Sequence, residues 1–237
     1  MPAEESLAAI VPVLNEEAAI GDVVRALLAT GLPSEVIVVD GGSSDRTVET
    51  AAAAGARVLV ERRRGYGRAC ASGAFASQAT VLAFLDGDGA DDPASLERLL
   101  QPIADGTTDL VLGARASMEA GSLPFYATAG NRLAALIVKL AWRQRISDLP
   151  SFKALRRDTL VRLDMTEATY GWTIEMIVKA ARRGLRIKEV PLNYRRRRGG
   201  QSKVSGNPRT SIRAAASILS ALVRHGTGRN GGSTLLP

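Results

Sequence analysis

The sequence predicts an α/β protein with a mostly parallel central sheet flanked by helices. Short apolar runs of strand length alternate with stretches of helical spacing through the first 115 residues, and this alternation indicates βαβ units. Polar residues directly follow three of the apolar runs, at the sheet edge where open α/β proteins bind ligands. Hydrophobic residues make up 46% of the 237-residue chain but aromatic residues only 4%. The core is therefore expected to consist mainly of Ala, Val, Leu and Ile.

The first half of the chain is predicted to contain five strands and four helices. The continuous apolar run 36–39 is typical of a strand buried on both faces. Between Ile20 and Leu28 the apolar residues recur at helical spacing. The predicted strands cover 8–14, 35–40, 56–60, 80–85 and 109–112, and the predicted helices cover 16–30, 43–54 with its capping residues, 65–77 and 93–104.

The second half is less regular. Gly184 is expected to end a helix, and the alternating pattern after it predicts a half-exposed strand. Helices are predicted over 123–142, from Asp158 onward, over 171–183 and over 209–225, with a short apolar stretch at 152–155 and a strand at 185–194. Residues 1–225 are expected to form one domain, and residues 226–237 a disordered tail.

The chain is expected to be cytoplasmic. Its acidic start lacks the features of a signal peptide. The best candidate for a membrane span, 133–142, is too short and contains Lys139. The single cysteine, Cys70, excludes an intramolecular disulfide.

Positive charge is concentrated in the C-terminal third. The net charge is +7, but twelve Lys or Arg and one acid, Glu189, lie between Lys179 and Arg213. This stretch is either a solvated charge run or faces an anionic partner such as a membrane surface, a phosphorylated substrate or nucleic acid. Nucleic acid is not expected, because no aromatic ladder or nucleic-acid motif accompanies the arginines.

Two carboxylates separated by one glycine, Asp86 and Asp88, follow the apolar run 81–85. Carboxylates this close repel each other unless a cation lies between them. Mg²⁺ or Mn²⁺ holding a diphosphate would account for the pair. The alternative is a helix-capping turn, since Asp91, Asp92 and Pro93 open the next helix.

Polar segments also follow the first two strands, at 12–16 and 40–45. Together with the acidic pair they would line one sheet edge, as a nucleotide pocket requires. Ordinary capping turns would explain Ser43 and Asp45 but not Asp40 or Asp86, which lie on the strand side. The dinucleotide fingerprint and the Walker loop are both absent, so a nicotinamide enzyme and a P-loop NTPase are not expected.

Several further residues have two open interpretations. Gly65 and Gly67 either let the backbone approach a diphosphate, with Arg64 or Arg68 adding charge, or form a plain loop. Glu175 lies on a predicted helix and is either a solvent residue or a base facing the cleft. The basic loop 194–203 either clamps phosphates or is solvated. His225 is expected to complement a helix dipole.

Taken in order, these segments resemble the family 2 glycosyltransferases of the GT-A fold, which has a Rossmann-like sandwich. Within that family the chain is similar to the group related to dolichyl-phosphate mannose and glucose synthases. The resemblance extends from about residue 9 to residue 220 and rests on the segments 11–16, 38–40, 65–67, 86–88, 113–115, 148–149, 170–176, 189–191 and 197–203.

The resemblance implies a nucleotide-binding half at about 8–116 and an acceptor-binding half at about 117–225. It implies Mg²⁺ or Mn²⁺ as cofactor, held by Asp86 and Asp88. The implied nucleotide-sugar-binding residues are Pro12, Leu14, Glu16, Asp40, Gly65, Asp86, Gly87 and Asp88. The implied phosphate-binding residues are Arg115, Arg132, Arg197 and Lys203, and the loop 197–203 would close over the site.

The implied reaction is an inverting displacement at C1 of a sugar from a UDP- or GDP-sugar donor, plausibly onto polyprenyl phosphate. The expected catalytic residues are Asp88 and, as candidate bases for a hydroxyl acceptor, Asp148 and Glu175. Ala90 replaces a usual glutamine, so Asp91 or water could complete the metal site. The segment 148–153 differs from the usual Ser-Gly-Phe-Arg pattern and resembles a bacterial subgroup.

The last predicted helix has a broad apolar side. That side could dock on a bilayer, giving peripheral association with the inner face of the membrane, but packing on the core or in a homodimer is the more common role. Two other function classes remain open: a sugar-nucleotide nucleotidyltransferase, and a non-catalytic basic module that binds membrane or nucleic acid. The acidic turn after the first strand disfavours the nucleotidyltransferase.

Overall fold

The computed structural model describes residues 5–119, 125–198, 208–226 and 234–235. One seven-stranded sheet organises them, in the order β3-β2-β1-β4-β6-β5-β7. The strands are β1 Leu7–Val13, β2 Glu35–Asp40, β3 Arg57–Val60, β4 Val81–Phe84, β5 Leu110–Met118, β6 Lys153–Arg156 and β7 Ile187–Tyr194. The helices are α1 Ile20–Ala29, α2 Thr47–Ala53, α3 Tyr66–Ala76, α4 Leu96–Ala104, α5 Phe125–Trp142, α6 Arg157–Leu163, α7 Trp172–Arg182 and α8 Pro208–Gly226.

The sheet is mostly parallel, as predicted. β1 pairs in parallel with β2 and β4, β2 with β3, and β5 with β7. β6 is the exception, since it runs antiparallel to both β4 and β5. Val13 is paired with Asp40, so the carboxyl ends of β1 and β2 lie side by side and carry their polar turns to the same edge.

Helices cover both faces of the sheet, which explains the unbroken apolar strands. Ile10, Ile37 and Phe84 face a core shared with α3, α5, α6, α7 and α8. Val11 and Val38 face the opposite core, shared with α1, α2 and α4. Because successive strand residues point to opposite faces, a strand buried on both sides must be apolar throughout.

Several boundaries differ from the sequence prediction, and two of them differ by four residues or more. β5 extends to Met118 because it pairs with β7 along its length, with an irregularity between Arg115 and Ser117. α1 begins at Ile20, not residue 16, because Asn15 has a left-handed φ of 52° and a turn follows it. Most of the predicted tail, 226–237, lies outside the described residues; within it, the Leu235 N–H donates to the Met165 carbonyl at 2.7 Å and the Leu235 side chain packs on the core.

Among the described helices, we find none that combines the length and the apolar character needed to cross a bilayer. The sheet spans both halves predicted from the sequence, and the division at residue 116 falls inside β5.

Candidate active site

The turn after β2 is built around Asp40. This buried carboxylate accepts hydrogen bonds from the N–H groups of Gly42 and Ser43, both at 2.9 Å, and from the Ser43 hydroxyl. Ser43 Oγ in turn accepts the Asn15 N–H at 2.8 Å. Asp40 therefore stabilises its own turn and, through Ser43, links that turn to the one after β1. The sequence analysis had not expected an ordinary capping turn to explain Asp40, but these hydrogen bonds are of that kind.

The turn after β1 places Glu16 at the same edge. Pro12 is buried on β1, and Leu14 is half-buried just beyond the strand. The Glu16 N–H donates to Thr47 Oγ1 at 2.8 Å, and its side chain is 10% exposed. The predicted nucleoside-binding residues thus form one contiguous rim over β1 and β2, and their contact with a nucleoside stays a prediction.

Three carboxylates crowd the turn after β4. Asp91 Oδ2 accepts the Asp86 N–H at 3.3 Å and the Ser151 hydroxyl at 2.8 Å, while Asp88 Oδ1 accepts the Ala90 N–H at 3.0 Å. Burial, followed by the charges of Asp88 and Asp91, raises the pKa of Asp86 to about 7. Burial is also the main reason that the pKa of Asp91 rises to about 6.

This cluster suits a divalent cation. The charges of Lys153 and Arg115 act to lower the pKa values of Asp86 and Asp91 respectively but do not outweigh burial, so a bound cation would stabilise the ionised forms. Over the described part of the chain, no three acidic, His or Cys side chains are arranged as a metal cage. The chemistry of Asp86 and Asp88 fits Mg²⁺ or Mn²⁺ held by one or two carboxylates and completed by phosphate oxygens and water, the mode typical of Mg²⁺.

A fully buried lysine lies behind the acidic turn. Lys153 Nζ donates to the Ser151 carbonyl at 2.9 Å and to Thr173 Oγ1 at 3.1 Å, and it lies 5.7 Å from the centre of the Tyr66 ring. Burial lowers the pKa of Lys153, whereas the charges of its neighbours, Asp86 among them, act to raise it. Sequence reasoning missed this residue, although a lysine directly after the apolar Phe152 was a usable signal.

Arg197 joins the rim to the acidic pair. Its Nη2 lies 2.7 Å from Glu16 Oε1, and its Nη1 lies 3.7 Å from Asp88 Oδ2. Backbone bonds of 2.9 Å, from Arg195 N–H to the Ala90 carbonyl and from Arg198 N–H to the Asp88 carbonyl, hold the segment after β7 against the acidic turn. The Arg197 guanidinium therefore lies between Glu16 and Asp88, within ion-pair distance of both carboxylates.

A second arginine, Arg115, is held in a bidentate ion pair. Its Nε and Nη2 lie 2.5 Å and 2.6 Å from the two carboxylate oxygens of Asp148, and Asn131 Nδ2 donates to Asp148 Oδ1 at 3.2 Å. Burial acts to raise the pKa of Asp148, but the hydrogen bonds and charge of Arg115 outweigh it and lower the pKa. This is a poor setting for a general base.

Glu175 is neither a solvent-exposed residue nor a base that faces the cleft, the two alternatives predicted from the sequence. It is fully buried, and its carboxylate accepts hydrogen bonds from the Thr166 N–H and hydroxyl and from the Glu167 N–H, at 2.7 to 2.8 Å. Lys179 Nζ lies 2.7 Å from Glu175 Oε1. These contacts correct the prediction of a solvent residue or a cleft-facing base, because every carboxylate oxygen is occupied inside the fold.

His225 also differs from expectation. It is buried, with Nε2 3.1 Å from Glu167 Oε1, so it packs against an acid instead of only complementing a helix terminus. Of the remaining predicted phosphate ligands, Arg132 is exposed on α5, and Lys203 lies outside the described residues.

Three site glycines are required by packing. A Cβ on Gly65 would lie 2.2 Å from the Ala168 carbonyl oxygen, and one on Gly67 would lie 2.0 Å from the Glu167 carbonyl oxygen. A Cβ on Gly87 would lie 2.4 Å from Val13 Cγ1. The backbone of 167–168 packs against Gly65 and Gly67 on this side, and the approach of a diphosphate to the turn stays a prediction.

The family model for glycosyl transferase family 2 matches residues 8–162, which include the rim, the acidic turn and β6. The chain belongs to glycosyltransferase family 2. This glycosyltransferase is 35% identical over 197 residues to a dolichyl-phosphate hexose transferase of Haloferax volcanii, with 82% of this chain and 85% of the relative covered. It is 32% identical over 213 residues to an undecaprenyl-phosphate mannosyltransferase of Micrococcus luteus, with 83% and 86% covered.

Solved structures show the same fold. A glucosyl-3-phosphoglycerate synthase from Mycobacterium tuberculosis, crystallised with Mn²⁺, UDP and glucosyl-3-phosphoglycerate, superimposes with a TM-score of 0.77 at 23% identity, covering 97% of this chain and 82% of that chain. The GT-A fold and the family 2 assignment predicted from the sequence are therefore confirmed. This chain is accordingly a glycosyltransferase.

Proposed function

We propose that this glycosyltransferase moves a hexose from a UDP- or GDP-sugar to polyprenyl phosphate, with inversion at C1. The observation that carries the proposal is the acidic turn, where burial and like charge raise the pKa of Asp86 to about 7. A bound cation would stabilise the ionised carboxylates, and the carboxyl edge of a parallel sheet is where open α/β folds bind ligands. A nucleotide sugar supplies the anion, and the names of the two relatives support a polyprenyl-phosphate acceptor.

Asp86 and Asp88 would hold Mg²⁺ or Mn²⁺, with Asp91 behind them. When bound, the ion would act as a Lewis acid that neutralises charge on the departing diphosphate. On the donor side, Pro12, Leu14, Glu16 and Asp40 would form the nucleoside rim within the proposed nucleotide-binding half, 8–116.

The state of the two candidate bases favours a phosphate acceptor. Asp148 is paired with Arg115, and Glu175 is buried in a separate cluster. Neither is free to accept a proton from a hydroxyl. A phosphate oxygen is already anionic and needs no base, so the half 117–225 would have only to hold charge, through Arg115, Arg132, Arg197 and Lys203.

Peripheral membrane association would bring the enzyme to a lipid acceptor. α5 exposes Leu133, Leu136 and Leu140, and α8 exposes Leu219 and Val223. Neither helix contains an acidic residue, and both contain basic ones. An apolar face with basic neighbours suits the anionic inner surface of a membrane; a homodimer through the same face is the alternative.

A transfer assay tests the proposal directly. The purified enzyme is incubated with Mn²⁺, UDP- or GDP-hexoses and a polyprenyl phosphate, and lipids are analysed by mass spectrometry. A polyprenyl-phosphate hexose product that disappears with EDTA is expected. Transfer to a hydroxyl acceptor alone would overturn the acceptor, and release of pyrophosphate from a nucleoside triphosphate would indicate the nucleotidyltransferase instead.

A further inference from the structure

The segment 165–169 presses its backbone against the turn that opens α3. The Ala168 carbonyl accepts the Arg68 N–H at 3.1 Å. The Glu167 and Ala168 carbonyls approach Gly67 and Gly65 so closely that neither position has room for a Cβ. Any shift of this segment would therefore move the 65–68 turn with it.

Glu175 fixes the position of that segment. Its Oε1 accepts the Thr166 N–H at 2.8 Å and the Thr166 hydroxyl at 2.7 Å, and its Oε2 accepts the Glu167 N–H at 2.7 Å. Only a carboxylate can accept on both oxygens, since an amide would set an NH₂ group against one of these donors. Lys179 balances the buried charge at 2.7 Å.

The far side of the segment is attached to α8. Glu167 Oε1 lies 2.7 Å from Arg224 Nη1 and 3.1 Å from His225 Nε2. The segment is thus held by α7 through its backbone and by α8 through a side chain, while it supports the 65–68 turn from behind.

We propose that Glu175 is a positioning residue for the donor site: it holds segment 165–169 so that the 65–68 turn keeps the geometry that nucleotide binding requires. This inference rests on the proposed function. The 65–68 turn lies beside the acidic turn, because the Tyr66 ring is 5.7 Å from Lys153 Nζ and the charge of Asp86 acts on that lysine. It also explains why a buried acid lies on α7 away from the acidic pair.

Hydrogen exchange tests the local effect without any ligand. In Glu175→Gln, the amides of Arg68 and Ala69 are expected to exchange about tenfold faster, as one charged hydrogen-bond acceptor is lost. Thr166→Val, which removes only the hydroxyl donor, is a milder second variant that should give a smaller change of the same kind. Leu99→Ala, in the core across the sheet, is the control for general loss of stability.

Nucleotide binding tests the functional effect. At a temperature where all variants are folded, the Kd for UDP or GDP with Mn²⁺ and the donor KM should rise about tenfold in Glu175→Gln, with a smaller change in kcat. Leu99→Ala should lower Tm comparably but leave the Kd within about twofold. The inference would be overturned, with the proposed function left standing, by one result: the wild type binds nucleotide, and both Glu175→Gln and Thr166→Val leave the exchange rates and the Kd unchanged. A wild type that binds neither nucleotide would overturn the proposed function, and with it the role of the turn.

Discussion

Arg197 and Glu16 form an ion pair of 2.7 Å across 181 positions of sequence. The pair brings the segment after β7 onto the nucleoside rim, and the same guanidinium lies 3.7 Å from Asp88. The positive charge that faces the acidic turn in this structure is therefore carried by the chain itself.

Removing that charge should strengthen binding of a free metal ion. In Arg197→Ala, Mn²⁺ without nucleotide is expected to bind about two- to tenfold more tightly, because the cation no longer competes with a guanidinium near Asp88. Donor kcat/KM should fall by about tenfold or more, since a phosphate ligand is lost. Isothermal titration and steady-state kinetics measure both effects. Arg196→Ala, exposed on the same segment, should change neither; weaker Mn²⁺ binding in Arg197→Ala would contradict the prediction.

Asp88→Asn should abolish transfer and leave the fold intact. Loss of a metal ligand is expected to lower kcat/KM by about a thousandfold, the value of several kcal/mol of charge stabilisation. Without metal, Tm should rise slightly because one of three crowded carboxylates is neutral. Activity assays and thermal unfolding measure this, with the exposed Asp105→Asn as control. Transfer at the wild-type rate by Asp88→Asn would remove the metal hypothesis.

The stability of the metal-free enzyme should fall with rising pH. Asp86 has a folded pKa of about 7, above its ordinary value of 3.8, so between these values the folded state holds more protons than the unfolded state. The stabilisation is complete below about pH 4 and is lost as the pH rises to about 7. Tm measured from pH 5 to pH 8 should show this decline.

Two comparisons isolate the contribution of Asp86. Asp86→Asn should flatten the decline, and Mn²⁺ with a nucleoside diphosphate should raise the Tm of the wild type more at pH 8 than at pH 5. A metal-free Tm that climbs from pH 5 to pH 8 in the wild type but not in Asp86→Asn would show that the carboxyl pKa is lowered and not raised.

The Arg115–Asp148 pair should contribute strongly to stability. Its side chains are only 9% and 15% exposed, so Asp148→Asn leaves a largely buried guanidinium without its charge partner. We expect a loss of about 3 kcal/mol in the free energy of unfolding, measured by urea denaturation. The matched control is Asp109→Asn, which breaks an Arg186 pair with side chains 56% and 27% exposed and should cost less than about 1 kcal/mol. Equal losses in the two variants would contradict this assignment.

The exposed apolar residues of α5 and α8 are expected to contribute to lipid binding. Leu140→Glu and Val223→Glu, at positions 73% and 65% exposed, are expected to reduce co-sedimentation with anionic vesicles at low salt severalfold. Val60→Glu, at a position 57% exposed on the edge strand β3, is the control. If the wild type does not sediment, membrane docking fails; if it elutes as a dimer that these variants disrupt, the face is a subunit interface.

The sequence was sufficient for features set by local pattern. The apolar runs of β1, β2 and β4 and the acidic pair after β4 were predictable because strand burial and turn chemistry are encoded within a few residues. The roles of Glu175 and Lys153 were not, because their partners come from other elements, such as Thr166 for Glu175 and Thr173 for Lys153.

The direction of β6 and the length of β5 could not be predicted from the sequence for the same reason. β6 was visible only as a short apolar stretch, since its antiparallel pairing depends on the neighbours β4 and β5 and not on its own four residues. β5 continued past its apolar run because β7 lies beside it. Tertiary context decided both.

The reversed direction of β6 has a consequence for how the pocket can change. An antiparallel strand begins where its neighbours finish, so Lys153 is paired with Phe84, and the residues that lead into β6, including Asp148 and Ser151, arrive at the ligand side. Insertions or substitutions in this incoming connection can remodel the side of the pocket that carries Asp148 and Ser151 while the turns after β1 and β2 keep their shape. Under the proposed function, acceptor choice can then diverge among relatives independently of donor choice.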